Sequence, residues 1–287
     1  MPEICIIPPS GEPLHIDEAK LDRRVIDTSD DGRIRSLIGA ARQYAEMITR
    51  RQLLHARWQL TLDCFPMAFS GSPLPFRNSV NIPANAVILP HAPLVDVVSI
   101  QYVDMSGVTQ TMPATDYAVN KANEPALITP CFGKVWPICL PQIGSVIITY
   151  DAGYASPIAV PAPGAQFTVN SPVTWSVGNR VQFYNSGDST GKLPSPLSVD
   201  SAYLIASAPG NNVYTLTDAL GAAINFTDVG VGRSFIGVVP DGIRNWMLLR
   251  VGSLYENREE AAIVQKGGVK ELPWVDGLLD PFRISMP

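Results

Sequence analysis

An apolar helical segment that follows a long run of β-type sequence limits the folds open to this chain more than any other feature. Residues 240–260, PDGIRNWMLLRVGSLYENREE, place apolar side chains three and four positions apart, which is the period of an α-helix. Pro240 and Asp241 suit its first turn, because Pro fixes a helical φ and Asp favours the positive end of the helix dipole. A helix with so wide an apolar face packs inside a core or between subunits. The clear strand before it, 145–150, ends about 90 residues earlier, so a distant part of the chain must cover the helix.

The sequence before that strand predicts helices followed by an antiparallel sheet. Residues 15–24 and 31–51 carry apolar side chains at helical spacing. Residues 56–64 alternate apolar and polar side chains, as a strand with one buried face does. A proline-rich loop at 66–85 comes next, and further short strand signals follow it. With the helix at 240–260, these segments predict an α+β domain with a small antiparallel sheet.

Residues 160–237 have a different character, because the helical period disappears there. Short strand-like segments alternate with clusters of Gly, Asn, Ser, Asp and Pro about every ten residues, which is typical of a small β-sandwich or barrel. Proline-rich stretches at 156–157, 161–164 and 238–240 read as linkers. An all-β domain inserted between the strand and the last helix fits this order better than a tandem domain, because the last helix has no core of its own.

Four segments result from this division of the chain. Residues 1–158 form the first part of the α+β domain, 159–238 the inserted all-β domain, 239–261 the last helix of the first domain, and 262–287 an extended C-terminal tail. The tail is apolar but has little periodic structure. Two interpretations of it stay open: it wraps on its own domain, or it is reserved for a partner.

The sequence contains no candidate catalytic, cofactor or metal site. The three histidines are far apart, and no phosphate-binding loop or hydrolase motif occurs. The cysteines lack the spacing of a zinc site or a disulfide framework. They are Cys5, Cys64, Cys131 and Cys139. The expectation is a protein that is not an enzyme and carries no cofactor.

Charge and hydropathy indicate which partners to expect. The net charge is −5, whereas a DNA reader usually shows a basic excess on one domain. A local basic cluster could contact nucleic acid or an acidic partner, but favourable charge at a helix C-terminus explains it better. It comprises Arg50, Arg51, His55 and Arg57. We expect no signal peptide and no membrane span, since no apolar run approaches the ~20 residues that a spanning helix needs.

Several stretches of the chain, taken together, resemble the head–tail connector (adaptor) family of tailed phages. They include LIGAARQYAEMITRRQLL, VIITYDAGY, PDGIRNWMLLRVGSLYENRE and ELPWVDGLLDPFR. The resemblance covers about 15–156 and 240–284. It implies a helical connector domain with a small antiparallel β-sheet, into which this chain inserts the all-β domain that such proteins usually lack.

The resemblance implies a structural role in the virion neck, at the head–tail junction, for a protein made in the host cytoplasm. Family members form a homo-oligomeric ring, normally a 12-mer, below the portal protein. The ring extends the DNA channel, through which DNA passes without sequence-specific binding, and docks the next neck or tail protein. A neutral to acidic chain suits such a wall, because phosphate binding scales with positive contacts.

The same resemblance implies which residues make contacts. The suspected ring contacts are Ile243, Trp246, Met247, Arg250, Leu254 and Tyr255. The suspected portal or neighbour contacts are Leu272, Trp274, Leu278, Leu279, Phe282 and Arg283. The loop at 66–85 would face a neighbour or the lumen.

An alternative function is a glycan- or surface-binding β-module mounted on a virion protein. In that case the inserted domain is the active part, and its aromatic side chains stack on sugars. The candidates are Trp175, Phe183, Tyr184 and Tyr203. Their alternating placement favours a role in the domain's own core.

Overall fold

The computed structural model describes residues 2–66, 82–170, 174–186, 191–199, 201–210, 212–256 and 277–284. These residues form fourteen strands and three α-helices. The chain divides into two compact units, each assembled from separate segments. The sheet unit contains Met1–Pro8, His55–Gly153 and Ile284–Pro287, and the helix–barrel unit contains Pro9–Leu54 and Tyr154–Arg283.

Two antiparallel sheets make up the sheet unit. A five-stranded sheet has the order β1-β2-β8-β4-β5, and a three-stranded sheet has the order β3-β7-β6. The strands are β1 Glu3–Ile7, β2 Ala56–Leu62, β3 Val87–Leu89, β4 Leu94–Val103, β5 Thr109–Thr111, β6 Tyr117–Asn120, β7 Ala126–Pro130 and β8 Val146–Ala152.

Alternation along the central strands builds the core of the sheet unit. Leu60, Ile148 and Ile100 lie opposite one another on β2, β8 and β4, and all three are fully buried. Side chains on one face of a sheet recur every second residue, so these positions gather on the inner face. Phe65 and Trp136 stack at 4.6 Å between ring centroids and extend the same core beyond the strands.

The helix–barrel unit combines three helices with a closed six-stranded barrel. The barrel order is β10-β13-β12-β11-β14-β9. The helices are α1 Ile16–Arg23, α2 Asp31–Thr49 and α3 Asp241–Glu256. The strands are β9 Ser156–Ala159, β10 Gln166–Val169, β11 Arg180–Asn185, β12 Ala202–Gly210, β13 Val213–Thr217 and β14 Ser234–Gly237.

Aromatic rings fill the barrel, while aliphatic and small side chains join the helices. Phe167 meets Phe183 edge to face, with ring centroids 5.8 Å apart, in the preferred geometry for aromatic pairs. On α2, Ala41 and Ala45 are fully buried, and their small side chains face the helical core. Tyr184 of the barrel strand β11 belongs to that helical core, so helices and barrel share apolar packing.

The predicted fold class, an α+β fold with a helical connector domain and a small sheet, is wrong. The chain is mostly β, with fourteen strands against three α-helices in the part that the structure describes, and it contains a closed barrel. The error has a physical reason. Helical periodicity locates α1, α2 and α3 but does not say how much of the β sequence pairs into extended sheets, and that pairing dominates the fold.

Strand β9 shows how pairing overrides local sequence. Ser156 and Pro157 read as linker, yet they begin a strand that pairs with β10 on one side and β14 on the other. Pro157 has no amide hydrogen to donate, but its carbonyl still accepts a bond from the amide of Asn170 at 2.9 Å. This short strand closes the barrel. The domain boundaries at 158, 238 and 261 stay a prediction.

Candidate contact surfaces

Half of the suspected ring contacts on α3 lie inside the chain's own core. Ile243, Trp246 and Met247 are each at most 1% exposed. Arg250 is exposed, whereas Leu254 and Tyr255 are half-buried. A buried side chain has no surface for another subunit, so on α3 the predicted contact can involve chiefly Arg250 and its neighbours, and it stays a prediction.

Arg250 has a defined position on the surface of the helices. Its guanidinium carbon lies 5.2 Å above the ring of Tyr44, and Tyr44 stacks on Trp246 with centroids 5.7 Å apart. A cation above an aromatic face is attracted by the ring's quadrupole. Met47, 63% exposed on the same helix as Tyr44, adds apolar surface. The helices therefore present a cationic and partly apolar surface to solvent.

The C-terminal end of α3 is fastened to the start of α2. The hydroxyl of Tyr255 donates to the carboxylate of Asp30 at 2.5 Å. Arg33 donates to the carbonyl of Leu254 at 3.3 Å and also lies 5.5 Å above the Tyr255 ring. Both half-buried ring candidates thus have internal partners, which fix the end of the helix.

The last part of the tail packs on its own unit. Leu279 is fully buried in the helical core, and Leu278 and Phe282 pack against the same core. Arg51 donates from Nε to the carbonyl of Phe282 at 2.6 Å, which ties this segment to the residues after α2. Arg283 stays exposed and pairs with Asp280 at 3.2 Å across one turn. The stretch 277–283 therefore wraps on its own unit.

Two other predicted contact regions are not covered by the structure. Leu272 and Trp274 lie outside the described residues, and so do residues 67–81 of the predicted loop 66–85. The portal or neighbour contacts assigned to the tail stay a prediction.

Members of the basic cluster at the end of α2 have internal roles. Arg57 forms two hydrogen bonds to the carboxylate of Asp151, at 2.7 and 3.0 Å, and His55 lies 3.6 Å from the same carboxylate. Asp151 is fully buried. Burial would raise the pKa of Asp151, but the bonds from His55 and Arg57 outweigh it and lower this pKa to about 2. Arg57 compensates the buried charge of Asp151 and His55 faces the same carboxylate, which is not a phosphate-binding arrangement.

The barrel aromatics offer no stacking platform. Phe183, Tyr184 and Tyr203 are at most 5% exposed, and only Trp175 among the four candidates is half-buried. The hydroxyl of Tyr184 bonds to Gln182 on the same strand at 2.9 Å. These side chains form cores, so no observation favours the glycan-binding alternative.

A cleft of about 680 Å³ opens on the helix–barrel unit. Apolar side chains from β12 and from the turn after β13 line much of it, including Leu204 and Leu220. At its edge, Glu18 of α1 accepts from Arg180 at 2.9 Å and from Arg244 at 2.6 Å, which joins α1, the barrel and α3. We call it the barrel cleft. Sequence reasoning missed it because its walls come from segments far apart in the chain.

A second surface lies in the loop between β7 and β8. Four of its large apolar side chains are 69% to 108% exposed: Phe132, Val135, Ile138 and Ile143. Apolar residues scattered singly on a surface are ordinary, but four in one loop expose more apolar surface than such scattered residues do. We call residues 131–143 the β7–β8 knob. Sequence reasoning missed this surface because an apolar loop without a period looks the same whether its side chains point in or out.

No group of three or more His, Cys, Asp or Glu side chains among the described residues could hold a metal ion. None of the helices in that part of the chain is long and apolar enough to cross a membrane.

Comparison with known proteins gives a fold relationship. No protein-family model matches the chain, and no curated protein matches it. Among solved structures it is similar to a chain from the neck of an empty gene transfer agent (GTA) particle, which was computed with C6 symmetry. The TM-score is 0.55 and the sequence identity is 15%, over 100% of this chain and 97% of the other. A chain from the virion of a native GTA particle gives a TM-score of 0.53, also at 15% identity and over the same shares of the two chains. At this identity the likeness shows a common fold.

Proposed function

We propose that this protein is a structural component of the neck of a phage-like particle, where its copies form a ring. The observation that carries the proposal is the fold likeness to a GTA neck chain, which extends over the whole of this chain and nearly the whole of the other. A likeness over the full length includes both the sheet unit and the barrel, so it does not rest on one common motif. In this proposal the protein is no enzyme.

The finer parts of the proposal come from the resemblance to head–tail connectors. The ring lies below the portal protein, extends the DNA channel and docks the next neck or tail protein. The net charge of −5 is compatible with a wall past which DNA slides, because each added phosphate contact would strengthen binding to DNA. Arg57 and His55 do not add such contacts, since both face the buried Asp151.

The stoichiometry of the ring is part of the same proposal. Family resemblance favours twelve copies, and the neck chain with a similar fold was computed with C6 symmetry. On α3 the exposed Arg250 and the half-buried Leu254 and Tyr255 are the proposed ring contacts. The tail residues, Arg283 among them, are the proposed portal contacts.

The experiment is native mass spectrometry of the purified full chain, alone and after mixing with the portal protein of the same particle. The expected result is a ring of twelve copies, or six, either in isolation or on the portal. The 31.0 kDa chain makes the mass steps between oligomers easy to resolve. A monomer under both conditions would refute the neck-ring function and leave only the fold likeness.

A further inference from the structure

The geometry points to a head-to-tail contact between copies, in which the β7–β8 knob of one chain enters the barrel cleft of the next. The occupant of the cleft is therefore a second copy of this chain. The inference rests on the proposed ring and adds to it the two surfaces that meet. Neither surface is among the contacts that the sequence predicted.

The knob is apolar at its tip and projects from the protein. Phe132 is 108% exposed, as open to solvent as in an extended chain, and Val135 nearby is 82% exposed. With Ile138 and Ile143 the exposed side chains present on the order of 500 Å² of apolar surface, since a large side chain contributes roughly 150 Å² or more. That is as large as the biggest patch on an ordinary monomer, and such patches mark contact sites.

Hydrogen bonds and one buried side chain hold the loop of the knob against the sheet unit, so its exposed apolar side chains have defined positions. Trp136 is buried and donates from its indole to the carbonyl of Asn85 at 2.6 Å. The backbone of Leu140 donates to Val103 at 2.9 Å, and the hydroxyl of Ser145 bonds to the Leu140 carbonyl. A preorganised surface loses less conformational entropy on association than a mobile loop does.

The barrel cleft matches the knob in size and polarity. Its volume of about 680 Å³ lies within the roughly 300–1,000 Å³ of pockets that bury most of a small ligand, which is room for a few side chains. Leu220 on the cleft wall is 95% exposed, so this wall too leaves apolar surface in water.

The charges of the two surfaces are complementary. The cleft is lined by three carboxylates, Asp17, Glu18 and Asp218, and by the guanidinium of Arg180. Arg244 at its edge also pairs with Glu18, so three negative charges and two positive charges leave −1 with His15 neutral. The only charged residue of the knob is Lys134; its ammonium pairs with Asp116 at 3.2 Å, and its side chain stays 56% exposed. The knob carries a positive charge and the cleft a negative one, so a knob-to-cleft contact is electrostatically favoured. A cleft-to-cleft contact would bring two negative surfaces together and is disfavoured.

A ring also requires two different surfaces on each copy. A heterologous contact closes into a ring only if each chain carries a donor surface and a separate acceptor surface. A projecting apolar knob and a receding apolar cleft are such a pair. A self-complementary patch would instead stop assembly at a dimer.

The test uses two single variants, each of which removes one surface. Phe132→Asp places a charge on the knob, and Leu220→Asp places one on the cleft wall. Both side chains are almost fully exposed, so the fold should persist, and circular dichroism melting curves should superimpose on that of the wild type. Ile26→Asp is the matched control, because Ile26 is 96% exposed and belongs to neither surface.

The expected result is that each of the two variants requires at least a tenfold higher concentration than the wild type for ring assembly, while the control assembles normally. An equimolar mixture of the two variants should give dimers by native mass spectrometry. In the mixture one intact knob still meets one intact cleft, and the pair cannot grow further.

The outcomes separate the two proposals. Rings that form normally from either variant, or a mixture that stays monomeric, would overturn the knob–cleft contact and leave the ring itself in place. Normal rings that no longer bind the portal would reassign the altered surface to that partner. A wild type that never assembles, even on the portal, would remove the proposed function and with it this contact.

Discussion

Removing Arg57 should destabilise the sheet unit, because it would leave the buried charge of Asp151 poorly compensated. The carboxylate is fully buried and receives two bonds from Arg57, at 2.7 and 3.0 Å, while His55 stands farther away at 3.6 Å. Breaking a buried ion pair by removing one partner costs roughly 3–5 kcal/mol. Since His55 remains, we expect Arg57→Met to lower the free energy of unfolding at pH 7 by about 3 kcal/mol.

The effect should depend on pH in a defined direction. The pKa of Asp151 is lowered to about 2 in the folded protein, against roughly 3.9 in an unfolded chain. A carboxyl group with a depressed folded pKa stabilises the fold above its unfolded pKa, and that contribution disappears as the pH falls through the folded value. The wild type should therefore lose about 2 kcal/mol from this group between pH 5 and pH 2. In the variant, burial raises the pKa of Asp151, so the gap between the two proteins narrows in acid.

Urea denaturation at pH 7, 5, 4 and 3, followed by tryptophan fluorescence, measures both effects. The matched control is Arg283→Met, which removes an arginine from an exposed ion pair with Asp280 at 3.2 Å. Surface ion pairs contribute about 0–1 kcal/mol to stability, so the free energy of unfolding of this control should stay within about 0.5 kcal/mol of the wild-type value. If Arg57→Met matched the control at pH 7, or if its deficit grew in acid, the reasoning about the buried charge would be refuted.

Three further substitutions test the packing of the helix–barrel unit by thermal denaturation. Gly237→Ala should lower the free energy of unfolding by about 1–3 kcal/mol, because the added methyl group would overlap the carbonyl oxygen of Tyr154 and approach the ring of Tyr184. A melting temperature equal to that of the wild type would contradict this. Gly32→Ala, the matched control, has no atom within 4 Å of the new methyl group and should stabilise α2 by about 0.5 kcal/mol. Leu279→Ala should lower the free energy of unfolding by about 2–5 kcal/mol, because Leu279 is fully buried. A loss of stability below about 1 kcal/mol would mean that the tail segment does not contribute to the core.

Sequence reasoning located the helices with good accuracy, for a local reason. The prediction of a helix at 31–51 is confirmed by α2, Asp31–Thr49, and that at 240–260 by α3, Asp241–Glu256. Helical hydrogen bonds join residues four apart, so the signal lies within a short window of sequence. Most short strands were located in the same way, from an alternation visible within a few residues.

The sites were predicted less well than the elements that carry them. The apolar face of α3 was correctly expected to be covered, but the sequence could not say by what. Ile243 and Met247 are covered by the chain's own core, and a neighbouring subunit would produce the same pattern. An apolar stripe on a helix predicts that this face is buried, but it does not show whether the chain's own core or another subunit covers it.

Local sequence pattern determined where this chain forms helix or strand, and the resemblance to head–tail connectors pointed toward a structural role. Only the tertiary structure decided that β9 closes a barrel, that Arg57 neutralises Asp151 from another strand, and that Phe132 projects while Trp136 is buried. These features join residues that are distant in the chain or that differ only in the direction of a side chain. Pairing between distant segments and the orientation of a loop side chain leave no periodic pattern in the sequence. Tertiary contacts alone therefore determine these features.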